Sequence, residues 1–177
     1  MIKPATTREE IEDIRCMFRE YAKLLSVDLS FQGFEAELRE LPGKYAPPGG
    51  ALLVAYHEGA GAGCVALRDL GHRVCEMKRL FVRPWFRGLC LGKELAEGII
   101  TSARELGYST MRLDTLDRLT EAMRLYDRMG FRRIPAYYEN PLPGVVYWEL
   151  DLREKQSGQH GAAPLPPAPA GSSEGAR

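Results

Sequence analysis

The stretch "VRPWFRGLCLGKELAEG", residues 82–98, runs from an apolar strand end through a basic, glycine-containing turn into a helical pattern with no loop between. A helix that opens so directly presents unpaired N–H groups and the positive end of its dipole to whatever lies in the turn. Gly88 and Gly92 let a group approach the backbone closely, successive N–H groups can form a concave nest, and Arg87 and Lys93 add positive charge. The natural occupant is a phosphate or pyrophosphate. An ordinary strand-to-helix turn with solvated arginines has the same spacing, so the turn alone does not decide a function.

The flanking segments place this turn in a fold. Upstream, "VCEMKRLFV", residues 74–82, alternates as a strand: Val74, Glu76, Lys78, Leu80 and Val82 share one face, and Cys75, Met77, Arg79 and Phe81 take the other. Downstream, Leu91, Leu95, Ile99, Ala103 and Leu106 recur at steps of four and three, and Gly107 stands where a helix-ending glycine belongs. "YSTMRLDTL" then reads as a strand, "TEAMRLYDRMGF" as a short helix closed by Gly130, and "PGVVYWELDL" as a final strand.

The first half supplies a short strand at Ile2 to Pro4 and a helix. Thr6 and Thr7 each have a glutamate three residues on, Glu9 and Glu10, which is the capping-box spacing, and Ile11, Ile14, Phe18, Tyr21 and Leu25 form one apolar stripe. "FQGFEAELRELPG" predicts a second, shorter helix carrying Phe34, Leu38 and Leu41. "ALLVAY" and "GCVALRDL" flank the connector "HEGAGAG" as a β-hairpin would. Gly59, Gly61 and Gly63 are not a dinucleotide fingerprint, because a strand rather than a helix follows them.

Composition narrows the classes. A chain of 177 residues holds one domain with a proper core, and the patterned part ends near residue 153. Residues 154–177, rich in Pro, Gly, Ala and Ser without periodicity, are expected to be a disordered tail, with no convincing docking motif among its prolines. Lys plus Arg balances Asp plus Glu at 24 each, so no global charge draws the protein to nucleic acid. No apolar run approaches the roughly 20 residues that span a bilayer, and "MIKPATTREE" has no secretory core; a cytoplasmic location is the expectation. Cys16, Cys64, Cys75 and Cys90, like His57, His72 and His160, are scattered, so no metal site is expected.

On Arg87-Gly88-Leu89-Cys90-Leu91-Gly92 the chain resembles the Q/R-x-x-G-x-G/A signature of the GNAT N-acetyltransferase superfamily, and "AMRLYDRMGF" is similar to that family's A-x-x-L-Y-x-x-x-G-F helix. The resemblance covers the order of elements over roughly residues 2–152, and its final hairpin looks like that of small bacterial members. It implies an α/β fold: a twisted, mixed, mostly antiparallel sheet with helices on both faces, splayed between strand four, residues 74–82, and strand five, about 110–116. Acetyl-CoA would enter that gap. The backbone of Leu80, Phe81 and Val82 would pair with its pantetheine amides as a further strand does, and residues 87–93, from Arg87 through Gly88, Leu89, Cys90, Leu91 and Gly92 to Lys93, would hold its pyrophosphate. Small members are often dimers, so a homodimer belongs to the same expectation.

Two residues depart from the pattern. Cys90 stands where the central glycine is expected; it is expected in a right-handed conformation without strain, with its side chain directed toward the cofactor. Leu119 replaces an asparagine that often lies three residues before the motif's alanine, removing one polar contact.

The implied reaction transfers acetyl from CoA to a primary amine of a small molecule or peptide N-terminus. It needs a proton for the departing thiolate, a donor for the developing negative charge, and a neutral nucleophile. By the motif match, Tyr126 is the general acid; a backbone N–H near Leu80 or Phe81 is the family-like donor. Glu76, sharing a face with Leu80, is the candidate base, with a salt bridge to Lys78 or Arg112 as the alternative role; His57 and Asp114 are weaker candidates. Phe31, Tyr45, Tyr138 and Asn140 are candidates to line the acceptor pocket, between residues 26–48 and 135–144. A non-catalytic acyl-CoA-binding module is the competing function, and an unrelated phosphate-binding domain a third.

Overall fold

The capping box forms at its second threonine. Thr7 Oγ1 accepts the Glu10 N–H at 3.2 Å, and the Glu10 carboxylate accepts the N–H groups of Thr7 and Thr6 at 2.9 and 2.7 Å. Two backbone donors at the helix start are thereby satisfied reciprocally with a third. A computed structural model describes residues 1–153, in the order β1 (Ile2–Pro4), α1 (Arg8–Leu25), α2 (Phe34–Glu40), β2 (Ala51–His57), β3 (Ala60–Gly71), β4 (Val74–Val82), α3 (Leu91–Glu105), β5 (Thr110–Leu116), α4 (Thr120–Arg128), β6 (Arg132–Ile134) and β7 (Val145–Asp151). The expected tail lies outside the described residues. No described helix is long and apolar enough to cross a membrane.

The strands form one sheet in the order β1-β2-β3-β4-β5-β7-β6, antiparallel throughout except where β4 meets β5. Apolar stripes on the helices bury both faces. Leu95, Ile99 and Ala103 of α3 and Tyr126 of α4 pack with Leu67, Met77, Met111 and Trp148 on one side. Ile14 and Phe18 of α1 and Phe34 and Leu38 of α2 pack with Val54, Cys64 and Phe81 on the other. This is the two-faced, mostly antiparallel architecture that the resemblance implied.

Three local expectations are corrected. The hairpin turn contracts to Glu58 and Gly59, with φ of 49° and 81°, and β3 takes in the rest of the glycine-rich connector; positive φ at both central residues is what a two-residue hairpin turn requires. The second helix is only Phe34–Glu40, because a separate 3-10 turn at Ser30–Gln32 precedes it. The third correction concerns β4. Between the pairs Ala66↔Lys78 and Cys64↔Phe81, β4 advances three residues while β3 advances two. One extra residue makes a bulge there, and Arg79 sits at φ 57°. Every side chain beyond the bulge changes face: Leu80 and Val82 join the α3 side with Cys75 and Met77, while Arg79 and Phe81 turn toward α1 and α2. Glu76 and Lys78 therefore do not share a face with Leu80 and Val82.

Candidate active site

The bulge coincides with a parting of strands. β4 and β5 pair at Val74↔Thr110, Cys75↔Met111 and Glu76↔Arg112 and no further, although β4 continues to Val82 and β5 to Leu116. The gap that opens is lined by Lys78 and Leu80 from β4, by Asp114 and its neighbours from β5, by Tyr126 and Leu119 from the α4 side and by Tyr21 from α1. An unpaired strand edge facing a cleft offers N–H and C=O groups to an extended ligand. Of the three β4 residues expected to meet the cofactor, Leu80 lines the gap, Phe81 is buried in the α1/α2 core, and Val82 lies beside Gly92 at the start of α3.

Tyr126 reaches this gap from α4 with its ring braced on Phe131 and Trp148, at centroid separations of 5.6 and 6.3 Å. Its hydroxyl makes no hydrogen bond to a described side chain or backbone group. Burial pushes its phenol above the ordinary tyrosine range, with Tyr21 and Asp114 adding to the shift. The group stays protonated at neutral pH, as a donor must.

Past the gap, β4 ends at Val82 beside Gly92 of α3, and α3 begins without a side-chain cap. Its first intrahelical bond runs from the Glu94 N–H to the Cys90 carbonyl at 3.1 Å, so the N–H groups of Leu91, Gly92 and Lys93 precede the helical ladder. Gly88 has φ 84°, where a side chain is strained. Arg87, Gly88, Leu89 and Cys90 are exposed, Leu91 is buried in the core, and Lys93 pairs with Glu97 at 3.6 Å. The expectation for Cys90 is overturned: it is left-handed, at φ 59° and ψ 6°, a conformation that costs a residue with Cβ roughly 1–2 kcal/mol. The turn keeps the backbone shape that a glycine there would adopt freely.

Glu76 is wholly buried. One carboxylate oxygen takes the Arg68 Nε at 2.5 Å and the other accepts the Tyr137 hydroxyl at 2.7 Å, with Lys78 Nζ 3.9 Å away. The salt-bridge reading thus had the right kind of contact, with Arg68 as the main partner; Arg112 pairs with Glu149 instead. Glu76 does not line the gap. Asp114 does, paired with Lys78 at 3.2 Å, while His57 packs against Phe86. Arg68 and Tyr137 escaped notice in the sequence because their partner, Glu76, is met only through strand register and the final loop.

Three of the four acceptor-pocket candidates come together. Phe31, Tyr138 and Asn140 line an open cavity of about 790 Å³ beside the last loop, where Asn140 fixes the loop by donating to the Tyr138 hydroxyl at 2.8 Å and accepting the Leu142 N–H at 3.0 Å. Tyr45 does not join them. It is buried against Phe18 and donates to Glu37 Oε1 at 2.9 Å, because its 3-10 turn folds back under the sheet toward α2.

The comparisons agree with this geometry. The family model described as "Acetyltransferase (GNAT) family" matches residues 12–131. An uncharacterized N-acetyltransferase of Schizosaccharomyces pombe is 46% identical over 146 residues, spanning 81% of this chain and 90% of its own. A GNAT-family acetyltransferase structure from Staphylococcus aureus superimposes with a TM-score of 0.72 at 22% identity, over 86% of this chain and 98% of that one. The Salmonella typhimurium protein yncA, solved with its cofactor acetyl-CoA, gives 0.62 at 20% identity, over 90% and 98%. A family match over most of the fold, with the gap and helix start in place, makes this chain a member of the GNAT acetyltransferase family.

Proposed function

We propose that the protein is an acetyl-CoA-dependent N-acetyltransferase that acts on a primary amine of a small molecule or a peptide N-terminus. The carrying observation is that β4 and β5 part beyond Glu76 and Arg112, so that an open strand edge and Tyr126 line one gap, while β4 runs on from Leu80 to Val82 beside the uncapped start of α3. The yncA structure with acetyl-CoA supports the choice of donor. The residues present suit that donor: the β4 edge at Leu80 to Val82 for its amides, and the N–H groups of residues 88–93 with Arg87 for its pyrophosphate.

When bound, acetyl-CoA supplies an activated acyl group whose C–S bond breaks as the acceptor nitrogen takes the carbon. Tyr126 donates its hydroxyl proton, or a hydrogen bond, toward the sulfur position, and burial keeps it protonated for this role. A backbone N–H of β4 near Leu80 stabilises charge on the carbonyl oxygen. Asp114, facing the gap, is the better placed carboxylate to receive the amine's proton. Glu76 then acts as a positioning residue that fixes Arg68 and Tyr137. An acceptor that arrives as a neutral amine needs no base.

Release of free CoA thiol across a broad amine panel tests the reading. At least one amine is expected to drive release above background. Background release throughout, with acetyl-CoA still raising the melting temperature, would favour a non-catalytic acyl-CoA-binding module.

A further inference from the structure

Beside the gap lies a cavity of about 200 Å³ whose walls carry three cations, Lys44, Arg68 and Lys78, among Phe31, Gln32 and Tyr138. Lys78 and Gln32 also line the gap, so the two spaces adjoin. A group in the smaller cavity and an amine in the gap are within reach of one short molecule.

These cations are not fully spent on the protein's own carboxylates. Arg79 already holds Glu37 by two hydrogen bonds of 3.0 and 2.9 Å, and Lys44 is a second cation on that carboxylate at 3.2 Å. Arg68 and Lys78 both border Glu76, and Lys78 also meets Asp114. Among the described ion pairs here, four cations, Lys44, Arg68, Lys78 and Arg79, thus share three carboxylates, Glu37, Glu76 and Asp114. Arg68 uses only its Nε, leaving the N–H groups of its two terminal nitrogens without a described partner. Such a fork matches a carboxylate. Glu139 also lines the cavity, but it is exposed and takes no part in these pairs, so water screens it. Burial, joined by Arg68 and Arg79 as like charges and opposed by Glu37, lowers the Lys44 pKa. A further anion beside Lys44 favours its charged form.

We infer that the acceptor carries a carboxylate beside the amine it presents, and that Lys44, Arg68 and Lys78 seat this carboxylate while the amine enters the gap. The inference rests on the acetyltransferase reading and narrows its acceptor class to amino acids and kindred amino-carboxylates.

The test uses the full chain, acetyl-CoA and matched acceptors: glycine, β-alanine, aspartate and glutamate, each beside its carboxamide and its decarboxylated amine, with an aminoalkyl phosphate added. CoA release is expected to show kcat/KM at least tenfold higher for the best amino-carboxylate than for its uncharged counterparts. Lys44→Gln, at a half-exposed site, is expected to cut that acid-to-amide ratio at least tenfold, and Lys44→Arg to restore it. Amides or simple amines used as well as the acids, or a preference for the phosphate, would overturn the carboxylate seat and leave acetyl transfer standing. If every acceptor is silent, the broad amine panel judges acetyl transfer, and calorimetric titration with the N-acetyl derivatives of the same acids judges the seat alone. Binding that Lys44→Gln weakens tenfold keeps it; no binding overturns it.

Discussion

At the scale of single residues, Tyr126 follows the family pattern and Cys90 departs from it, and each makes a separable prediction. Cys90 holds a left-handed backbone at φ 59° that glycine adopts without penalty. Cys90→Gly removes roughly 1–2 kcal/mol of strain and costs roughly 0.5–1 kcal/mol in unfolded-chain entropy, so the melting temperature is expected to rise by about 2 °C. Cys90→Ala, which keeps the strain, should not rise. A fall in Cys90→Gly of several degrees by calorimetry would contradict the account of this turn. For Tyr126, removal of the hydroxyl leaves the ring stacked on Phe131 and Trp148. Steady-state kinetics of Tyr126→Phe are expected to show kcat reduced roughly 100-fold with the KM for acetyl-CoA changed less than threefold. An unchanged kcat would take Tyr126 out of the mechanism.

Between elements, the contact that matters most is the tie from α2 to the bulge of β4. Arg79 occupies a strained φ of 57°, and its guanidinium is held by Glu37, by Gln32 at 3.1 Å and against the Phe34 ring at 5.2 Å. Strain of this kind persists only where surroundings over-determine it. Burial alone would raise the Glu37 carboxyl, but hydrogen bonds and charge from Arg79, aided by Lys44 and Tyr45, outweigh it and hold the pKa down to about 2 against an ordinary 4.5. A folded pKa below the unfolded one means that this stabilisation is complete above pH about 4.5 and is lost as pH falls through about 2. Melting temperature is therefore expected to drop across that window, and Glu37→Gln to flatten this part of the drop while lowering stability at pH 7. A Glu37→Gln variant with the wild-type acid profile would show that the pair does not tie α2 to the bulge. The bulge was also the least legible element in the sequence. "VCEMKRLFV" alternates cleanly, and nothing in an arginine announces a positive φ. The face assignment that recommended Glu76 as a base failed there, because one inserted residue reverses every side chain after it.

For the whole molecule, what depended on periodicity was readable, and what depended on distant pieces meeting was not. The stripe of Leu91, Leu95, Ile99 and Ala103 and the capping threonine fix α3 and α1 locally, so their bounds followed from spacing. Helix start and gap then followed from two motifs whose order matched a known fold. The cation-lined cavity did not follow, since Lys44, Arg68 and Lys78 belong to the 3-10 turn at Gly43–Tyr45, β3 and β4 and meet only in the folded sheet. The proposed activity requires that the cofactor lie along the open edge of β4 with its diphosphate on the start of α3. Hydrogen–deuterium exchange with and without acetyl-CoA tests it most directly, since both contacts engage backbone N–H groups. Slowed exchange is predicted for residues 80–82 and 88–94 together, with the residue 88–94 effect reduced in Arg87→Glu. Binding that leaves both segments exchanging at their free rates would contradict the account.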